Sequence, residues 1–178
     1  MGQPGGSATP ARASGTTRAP LGADRCPASL AVGPAALSPS AGTTVDGMVA
    51  AGRRGCHRRA RSARRIREAL KRRHRVSVGV VISDTFGRTW RRGVTDVAIG
   101  CAGIQAVVDL RGTRDALGRE LVATEICVVD EIAAAADLVM GKARGVPVAL
   151  VRGVDEALLG RGAVAEEVVR PYGEDLFR

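Results

Sequence analysis

The sequence is poor in aromatic side chains, because its 178 residues include only two Phe, one Trp and one Tyr. Any hydrophobic core must therefore be built from Ala, Val, Ile and Leu. The scarcity also disfavours a single-stranded nucleic-acid site of the usual kind, in which successive bases stack on aromatic side chains.

Long apolar runs and metal-binding clusters are also lacking. No stretch approaches the roughly 20 apolar residues that a membrane-spanning helix needs, and no signal-peptide pattern opens the chain. We therefore predict a cytoplasmic protein. Cys26, Cys56, Cys101 and Cys127 are far apart and form no C-x-x-C pair, which disfavours a zinc site or a disulfide framework. We predict that Cys101 and Cys127 are small core residues, since their neighbours are apolar.

Charge and composition divide the chain into two unlike parts. Residues 1–75 contain 15 Lys/Arg against 3 Asp/Glu, whereas residues 76–178 contain 12 against 15. Residues 1–61 also lack Phe, Trp, Tyr and Ile, so they bury too little apolar surface to offset their chain entropy. We predict a disordered, low-complexity basic segment over residues 1–61 and one small domain over residues 62–178.

The second part alternates between helical and strand patterns. Ser62 is a candidate N-cap for a helix that ends near Arg73. The predicted strands are Val76–Ile82, which would be buried on both faces, Thr95–Gly100, Glu120–Val129 and Val148–Val151. A second helix would begin at Asp130 and end at Gly141, with an apolar stripe formed by Ile132, Ala133, Ala136, Val139 and Met140. The fold class is α/β of the mixed α+β kind, a single small domain with a mixed sheet and flanking helices.

The segment Ser83–Gly93 places polar side chains where the Val76–Ile82 strand is predicted to end. Asp84 and Thr85 offer the oxygen ligands that a hard divalent cation prefers. Arg88, Arg91 and Arg92 offer paired donors for phosphate or carboxylate groups. The plainer alternative is that Asp84 caps a turn and the arginines form a solvated edge.

Two further loops are rich in charge or glycine. Asp109–Glu120 is most simply an exposed loop with internal ion pairs, and the alternative is a loop that borders the site. Gly141–Pro147 is a basic loop at a helix end, but it matches neither a P-loop nor a dinucleotide-binding fingerprint.

The chain from about Ser62 onward resembles the coenzyme F-420-0:L-glutamate ligase family, the γ-glutamyl ligases of the deazaflavin coenzyme. The matching segments occur in the family's order. They are residues 62–67, 83–88 with Trp90, Arg91 and Gly93, 96–100 with Ala102 and Gly103, 118–121, 130–134, and 147–153.

The resemblance implies a GTP-dependent amide ligase. GTP would phosphorylate the terminal carboxylate of the coenzyme precursor, and the amine of L-glutamate would attack the acyl phosphate. By position in the family, Asp84 would bind a divalent metal and Thr85 would contact a second one, while Asp84 and Arg88 would serve in catalysis. Arg91 and Arg92 would bind substrate, and the nucleotide would contact Gly141, Lys142, Ala143, Arg144, Gly145, Val146 and Pro147. The implied cofactors are GTP as co-substrate, Mg²⁺ or Mn²⁺, and K⁺ as an optional ion, and the implied assembly is a homodimer.

The N-terminal part of the family pattern is missing or replaced here. Nothing in residues 1–61 reproduces the family's upstream motif with its second metal-binding aspartate. We therefore hold two alternatives to an active ligase. One is an inactive ligase remnant or scaffold, with residues 1–61 arising from a frame-shifted reading of the gene. The other is non-specific nucleic-acid binding by residues 53–75, which contain 12 Lys/Arg against one acid.

Overall fold

The computed structural model of the protein describes residues 29–34, 45–88 and 90–174. Its main sheet has four strands, β1 (Ser29–Pro34), β2 (Gly79–Arg88), β3 (Arg91–Ala102) and β6 (Ala149–Arg152). Their spatial order is β3-β2-β1-β6. β1 runs parallel to β2, and the other two pairings are antiparallel. The sheet is therefore mixed, which confirms the predicted fold class.

Two helices pack on the sheet. Helix α1 (Val45–His74) contacts β3 and β2, and helix α2 (Val128–Met140) contacts β3, β2, β1 and β6. A small second sheet pairs β4 (Val108–Asp109) with β5 (Glu125–Ile126). Short helical turns follow β6 at Glu156–Leu158, Val164–Val168 and Tyr172–Glu174. No helix among the described residues is long and apolar enough to cross a membrane.

The alternation of β2 separates two hydrophobic clusters, one on each face of the sheet. Val80 and Ile82 pack with Ala63 of α1, whereas Val81 packs with Val129 and other residues of α2. Because successive side chains of a strand point to opposite faces, this arrangement requires a strand that is apolar at every position. The strand begins at Gly79 and not at the predicted Val76, and its predicted burial on both faces is confirmed over Val80–Ile82.

Helix α1 begins well before the predicted start at Ser62, so that prediction was wrong. Ser62 lies inside the helix, and its hydroxyl donates to the carbonyl of Arg58 over 3.4 Å instead of capping an end. The predicted end near Arg73 is confirmed by the last residue, His74. The α1 residues that are buried among those of known exposure, Cys56 and Ala63, are both small. Small residues of this kind give no strong apolar pattern before Ser62.

Strand β1 lies in the segment predicted to be disordered, and it occupies an inner position of the sheet. Leu30 is paired with Gly79 on one side and with Val151 on the other. The division of the chain at residue 61 falls inside α1, and the disorder expected for residues 1–28 and 35–44 concerns residues outside the described ranges.

The remaining predicted elements agree with the structure to different degrees. The strand predicted over Glu120–Val129 was wrong except for Glu125–Ile126, because Val128 and Val129 begin α2 and enter the core. The predicted stripe of α2 is buried except for Val139, which is 66% exposed because it lies at the edge of the helical period. The predicted end of α2 at Gly141 is confirmed by its C-cap, and the last predicted strand is found at Ala149–Arg152.

Candidate functional site

The hairpin of β2 and β3 creates the candidate site by pairing polar residues just beyond its apolar part. Thr85 lies opposite Asp96, and a bulge between Ile82 and Ser83 shifts the register next to them. The hydroxyls of Ser83 and Thr85 both donate to Asp96, over 2.9 and 3.3 Å. Val81, Ser83 and Thr85 share one face of β2 by strand alternation, so the polar group lies on the side of α2.

Asp96 is the centre of this group. It is 3% exposed, and among the residues whose exposure is described it is the one charged residue that is buried. A buried carboxylate is costly unless hydrogen bonds and a counter-charge compensate it. Here the two hydroxyls supply hydrogen bonds, and the Lys142 ammonium supplies the charge at 3.0 Å from Oδ1.

Lys142 reaches Asp96 because α2 ends directly before it. Gly141 has a φ of 62°, a conformation that favours glycine, and its N–H donates to the carbonyl of Asp137 over 2.8 Å. The chain then turns so that the Lys142 side chain lies over β3, with 57% of it exposed. The structure thus joins the predicted nucleotide loop to the strand that follows Asp84 and Thr85. The other residues of that loop, from Ala143 to Pro147, are exposed.

The position of α2 relative to β3 is fixed at the opposite end of the helix. Asp130 Oδ1 accepts a hydrogen bond from the backbone N–H of Ala98 over 2.8 Å. Since β3 is an edge strand, this carboxylate satisfies a backbone donor that has no neighbouring strand. Helix α2 is therefore joined to β3 by a hydrogen bond at its start, and Lys142 follows directly after its end.

Asp84 stands apart from this group. Its Oδ1 accepts a hydrogen bond from the backbone N–H of Thr85 over 2.8 Å, and the residue is half-buried. Strand alternation places its side chain on the α1 face, opposite the hydroxyl of Thr85. Among the described residues, no group of three or more His, Cys, Asp or Glu side chains could hold a metal ion. The metal-binding roles of Asp84 and Thr85 remain predictions.

The three arginines lie at the far end of the hairpin. Arg88 pairs with Arg91 across the turn, and Arg88, Arg91 and Arg92 are all exposed. Arg88 is three residues beyond Thr85, which corresponds to about 10 Å along a strand. Trp90 is 83% exposed in the turn, so it is not part of the core. β2 is thus longer than predicted, and the arginines are not brought together with Asp96.

The loop that includes Asp109 and Asp115 has the plainer of its two predicted forms. Arg111 Nε donates to Asp109 over 2.8 Å, Arg111 also pairs with Glu125 at 3.2 Å, and Arg119 pairs with Asp115 at 3.1 Å. The hydrogen bonds from Arg111 lower the pKa of Asp109 to about 2. An exposed loop with internal ion pairs is confirmed.

The cysteines play no part in the site. Cys56, Cys101 and Cys127 are free thiols, and Cys101 is buried whereas Cys127 is only half-buried. Burial raises the pKa of Cys101 to about 11 and that of Cys127 to about 12, which keeps both thiols protonated and unreactive near neutral pH. Cys26 lies outside the described residues.

Comparison with known proteins gives the chemical context. The family model described as F420-0:Gamma-glutamyl ligase matches residues 57–153. The chain belongs to this family. The match includes most of α1 and all of β2, β3, α2 and β6, so it contains every described element of the candidate site.

Curated relatives named coenzyme F420:L-glutamate ligase agree with this assignment. The Methanocaldococcus jannaschii protein is 42% identical over 118 residues, which cover 66% of this chain and 47% of the relative. The Archaeoglobus fulgidus protein is 49% identical over 102 residues, which cover 57% and 40%. The Methanopyrus kandleri protein is 43% identical over 121 residues, which cover 66% and 48%. The chain thus spans about half the length of the relatives that it matches.

Two members of the polar group, Ser83 and Asp96, were missed as site residues by the sequence reasoning. The available signal was Asp96 itself, a carboxylate within the apolar alternation of Thr95–Gly100. A charged residue at an inward position of a strand is rarely tolerated without a partner. The partner, Lys142, is 46 residues away, so no local pattern could identify the pair.

Proposed function

We propose that this chain acts in the biosynthesis of coenzyme F420 and adds L-glutamate through a γ-linked amide to the deazaflavin coenzyme precursor. Family membership over the residues that carry the site is the observation that supports this proposal. The substrate is inferred from the names of the relatives. Because the chain spans less than half the length of these relatives, their complete activity is proposed for it.

The proposed reaction uses GTP to form an acyl phosphate on the precursor's carboxylate. The amine of L-glutamate then attacks the acyl carbon, and inorganic phosphate leaves. The Gly141–Pro147 loop would bind the nucleotide, with the Lys142 ammonium facing its phosphates. Arg91 and Arg92 would bind carboxylates of the substrates, and Arg88 would stabilise negative charge that develops during transfer. The precursor would then lie along the hairpin, since the arginines are at its turn whereas Lys142 contacts it at Asp96.

Dependence on Mg²⁺ or Mn²⁺ is part of the proposal, but the described residues alone do not form a metal site. Phosphate-binding cations are commonly held by one or two protein carboxylates together with phosphate oxygens. Asp84 supplies one carboxylate on the α1 face, and the Asp96 carboxylate is already paired with Lys142. An optional K⁺ ion is likewise part of the proposal.

We also infer a homodimer in the cytoplasm, as the family resemblance implies. Leu138 on α2 and Leu150 on β6 are 83% and 53% exposed, which is consistent with a protein surface that a second chain covers. Analytical ultracentrifugation of the purified chain tests the assembly. A single monomeric species at micromolar concentration would contradict it.

The decisive experiment measures glutamate addition to the coenzyme precursor by mass spectrometry, with GTP, L-glutamate and Mn²⁺ or Mg²⁺. A mass gain of one glutamate residue, with matching release of GDP, would support the ligase. Asp84→Ala should then abolish the gain, and Asp109→Ala, in the exposed ion-paired loop, should leave it intact. A folded chain that gives no product would support the inactive remnant instead.

A further inference from the structure

We propose that Asp96 is a positioning residue, which holds the Lys142 ammonium after α2 so that it can bind a phosphate group of an anionic ligand. This inference deepens the proposed function and rests on it for the identity of the ligand. It concerns the pair itself, in which Lys142 Nζ lies 3.0 Å from Asp96 Oδ1.

The first argument is the burial of Asp96. Its side chain is 4% exposed, whereas that of Lys142 is 57% exposed. A buried ion pair is often no more stabilising than well-packed apolar side chains of similar volume. Stability alone therefore does not explain a carboxylate at this position. A role in fixing the position of the Lys142 ammonium does explain it.

The second argument is the way in which the carboxylate itself is held. The hydroxyls of Ser83 and Thr85 donate to different oxygens of Asp96, and Ser83 is fully buried. Both donors come from β2, which lies inside the sheet, so the carboxylate cannot easily turn away. Lys142 consequently has a rigid acceptor at one fixed point, although its own side chain is flexible.

The third argument is the donor capacity that Lys142 keeps. A lysine ammonium has three donors, and the described contacts show one of them, to Asp96. With more than half of the side chain exposed, the ammonium faces both the carboxylate and solvent. A compact point charge of this kind suits a phosphate oxygen. The ligand class is therefore a phosphate or polyphosphate group, as in a nucleoside triphosphate.

The test uses inorganic tripolyphosphate as the probe and hydrogen exchange of the 141–148 peptide as a local readout. This readout does not respond to anions bound by arginines elsewhere. In the full-length chain, tripolyphosphate should slow exchange in this peptide. Asp96→Asn should speed exchange without the probe and weaken the protection by it, each about tenfold, as expected for loss of a hydrogen bond between charged groups. Asp109→Asn, which removes the charge from an exposed ion pair, is the matched control and should have no effect on this peptide.

The double variant decides whether Asp96 acts through Lys142. Lys142→Met should lose the protection, and Asp96→Asn added to Lys142→Met should have no further effect on probe binding. The proposal is overturned if tripolyphosphate does not protect the wild-type peptide, if Asp96→Asn behaves like wild type, or if the two effects multiply. Should Asp96→Asn fail to fold, Lys142→Met remains informative. It should lower both the thermal midpoint and the protection, and lost protection at an unchanged midpoint would refute the role of Asp96.

These outcomes are separable from those of the proposed function. Protection that depends on both residues, in a chain that makes no amide product, would contradict only the ligase activity. Glutamate addition that proceeds equally well in Asp96→Asn, with unchanged protection, would contradict only the role of Asp96.

Discussion

Gly100 of β3 lies close to the backbone of α1, and it offers a sharp test of the fold. A Cβ atom added at Gly100 would lie 2.6 Å from the backbone carbon of Arg59 and 2.8 Å from the backbone nitrogen of Ala60. These atoms belong to the helix backbone, so no side chain can rotate to make room. We expect Gly100→Ala to push α1 away from β3.

The size of the effect follows from known costs of overpacking. Inserting a methyl group into a well-packed contact costs about 1–3 kcal/mol. For a protein of this size, each kcal/mol lowers the thermal midpoint by about 2–4 °C, so a fall of roughly 2–12 °C is expected. Gly87→Ala is the matched control, because Gly87 is in the same hairpin and an added Cβ there meets nothing within 4 Å. This control should change the free energy of unfolding by less than about 0.5 kcal/mol.

Thermal and urea unfolding, followed by circular dichroism, give the free energy of unfolding for both variants. If Gly100→Ala were as stable as Gly87→Ala, the close packing of α1 against β3 would be wrong. The assignment of Ala63 to the core would then lose its basis, since it depends on the same packing.

Three further predictions address other parts of the molecule. Val32→Pro should destabilise the protein by at least about 2 kcal/mol, because it removes a backbone donor from a strand paired on both sides, whereas Val32→Ala keeps that donor; equal urea midpoints for the two would contradict the pairing of β1. Burial raises the pKa of Cys101 from 9.0 to about 11 in the folded state. The stability that its neutral thiol contributes is therefore fully present below pH 9 and is lost as the pH rises towards 11. Urea unfolding across this pH range should show that part of the loss disappears in Cys101→Ala. The chain should bind heparin through the exposed face of α1, so replacing Arg58, Arg61 and Arg65 by Gln should lower the salt concentration of elution, whereas the same change at Arg111, Arg114 and Arg119, which already have partners in their loop, should lower it less.

Local signals in the sequence predicted the parts of the fold that local chemistry determines. The nearly continuous β-branched run before Ser83 predicted a strand buried on both faces, and the structure has it over Val80–Ile82. Gly141 ended α2 because only a residue that tolerates a positive φ fits there. Arg111 and Arg119 found acidic partners within the segment from Asp109 to Glu125.

The parts that were missed depend on partners far away in the chain. The segment Ser29–Pro34 has a single β-branched residue and ends in proline, so its own propensity for strand is weak. It forms a strand because β2 and β6 both offer backbone groups to it. The length of β2 was underestimated for a similar reason, since pairing with β3 extends it through Asp84 to Arg88.

The position of β1 bears on how the family match should be understood. The match covers residues 57–153, and β1 lies outside it, yet β1 is the strand that connects β2 to β6 within the sheet. Without a strand in this place, β2 would have an unpaired inner edge and β6 would have no neighbour in the sheet. Helix α2 contacts all four strands, so the place of Lys142 beside Asp96 depends on the complete sheet. Residues outside the family match therefore support the geometry of the candidate site, and substitutions in β1 should disturb that site without touching it.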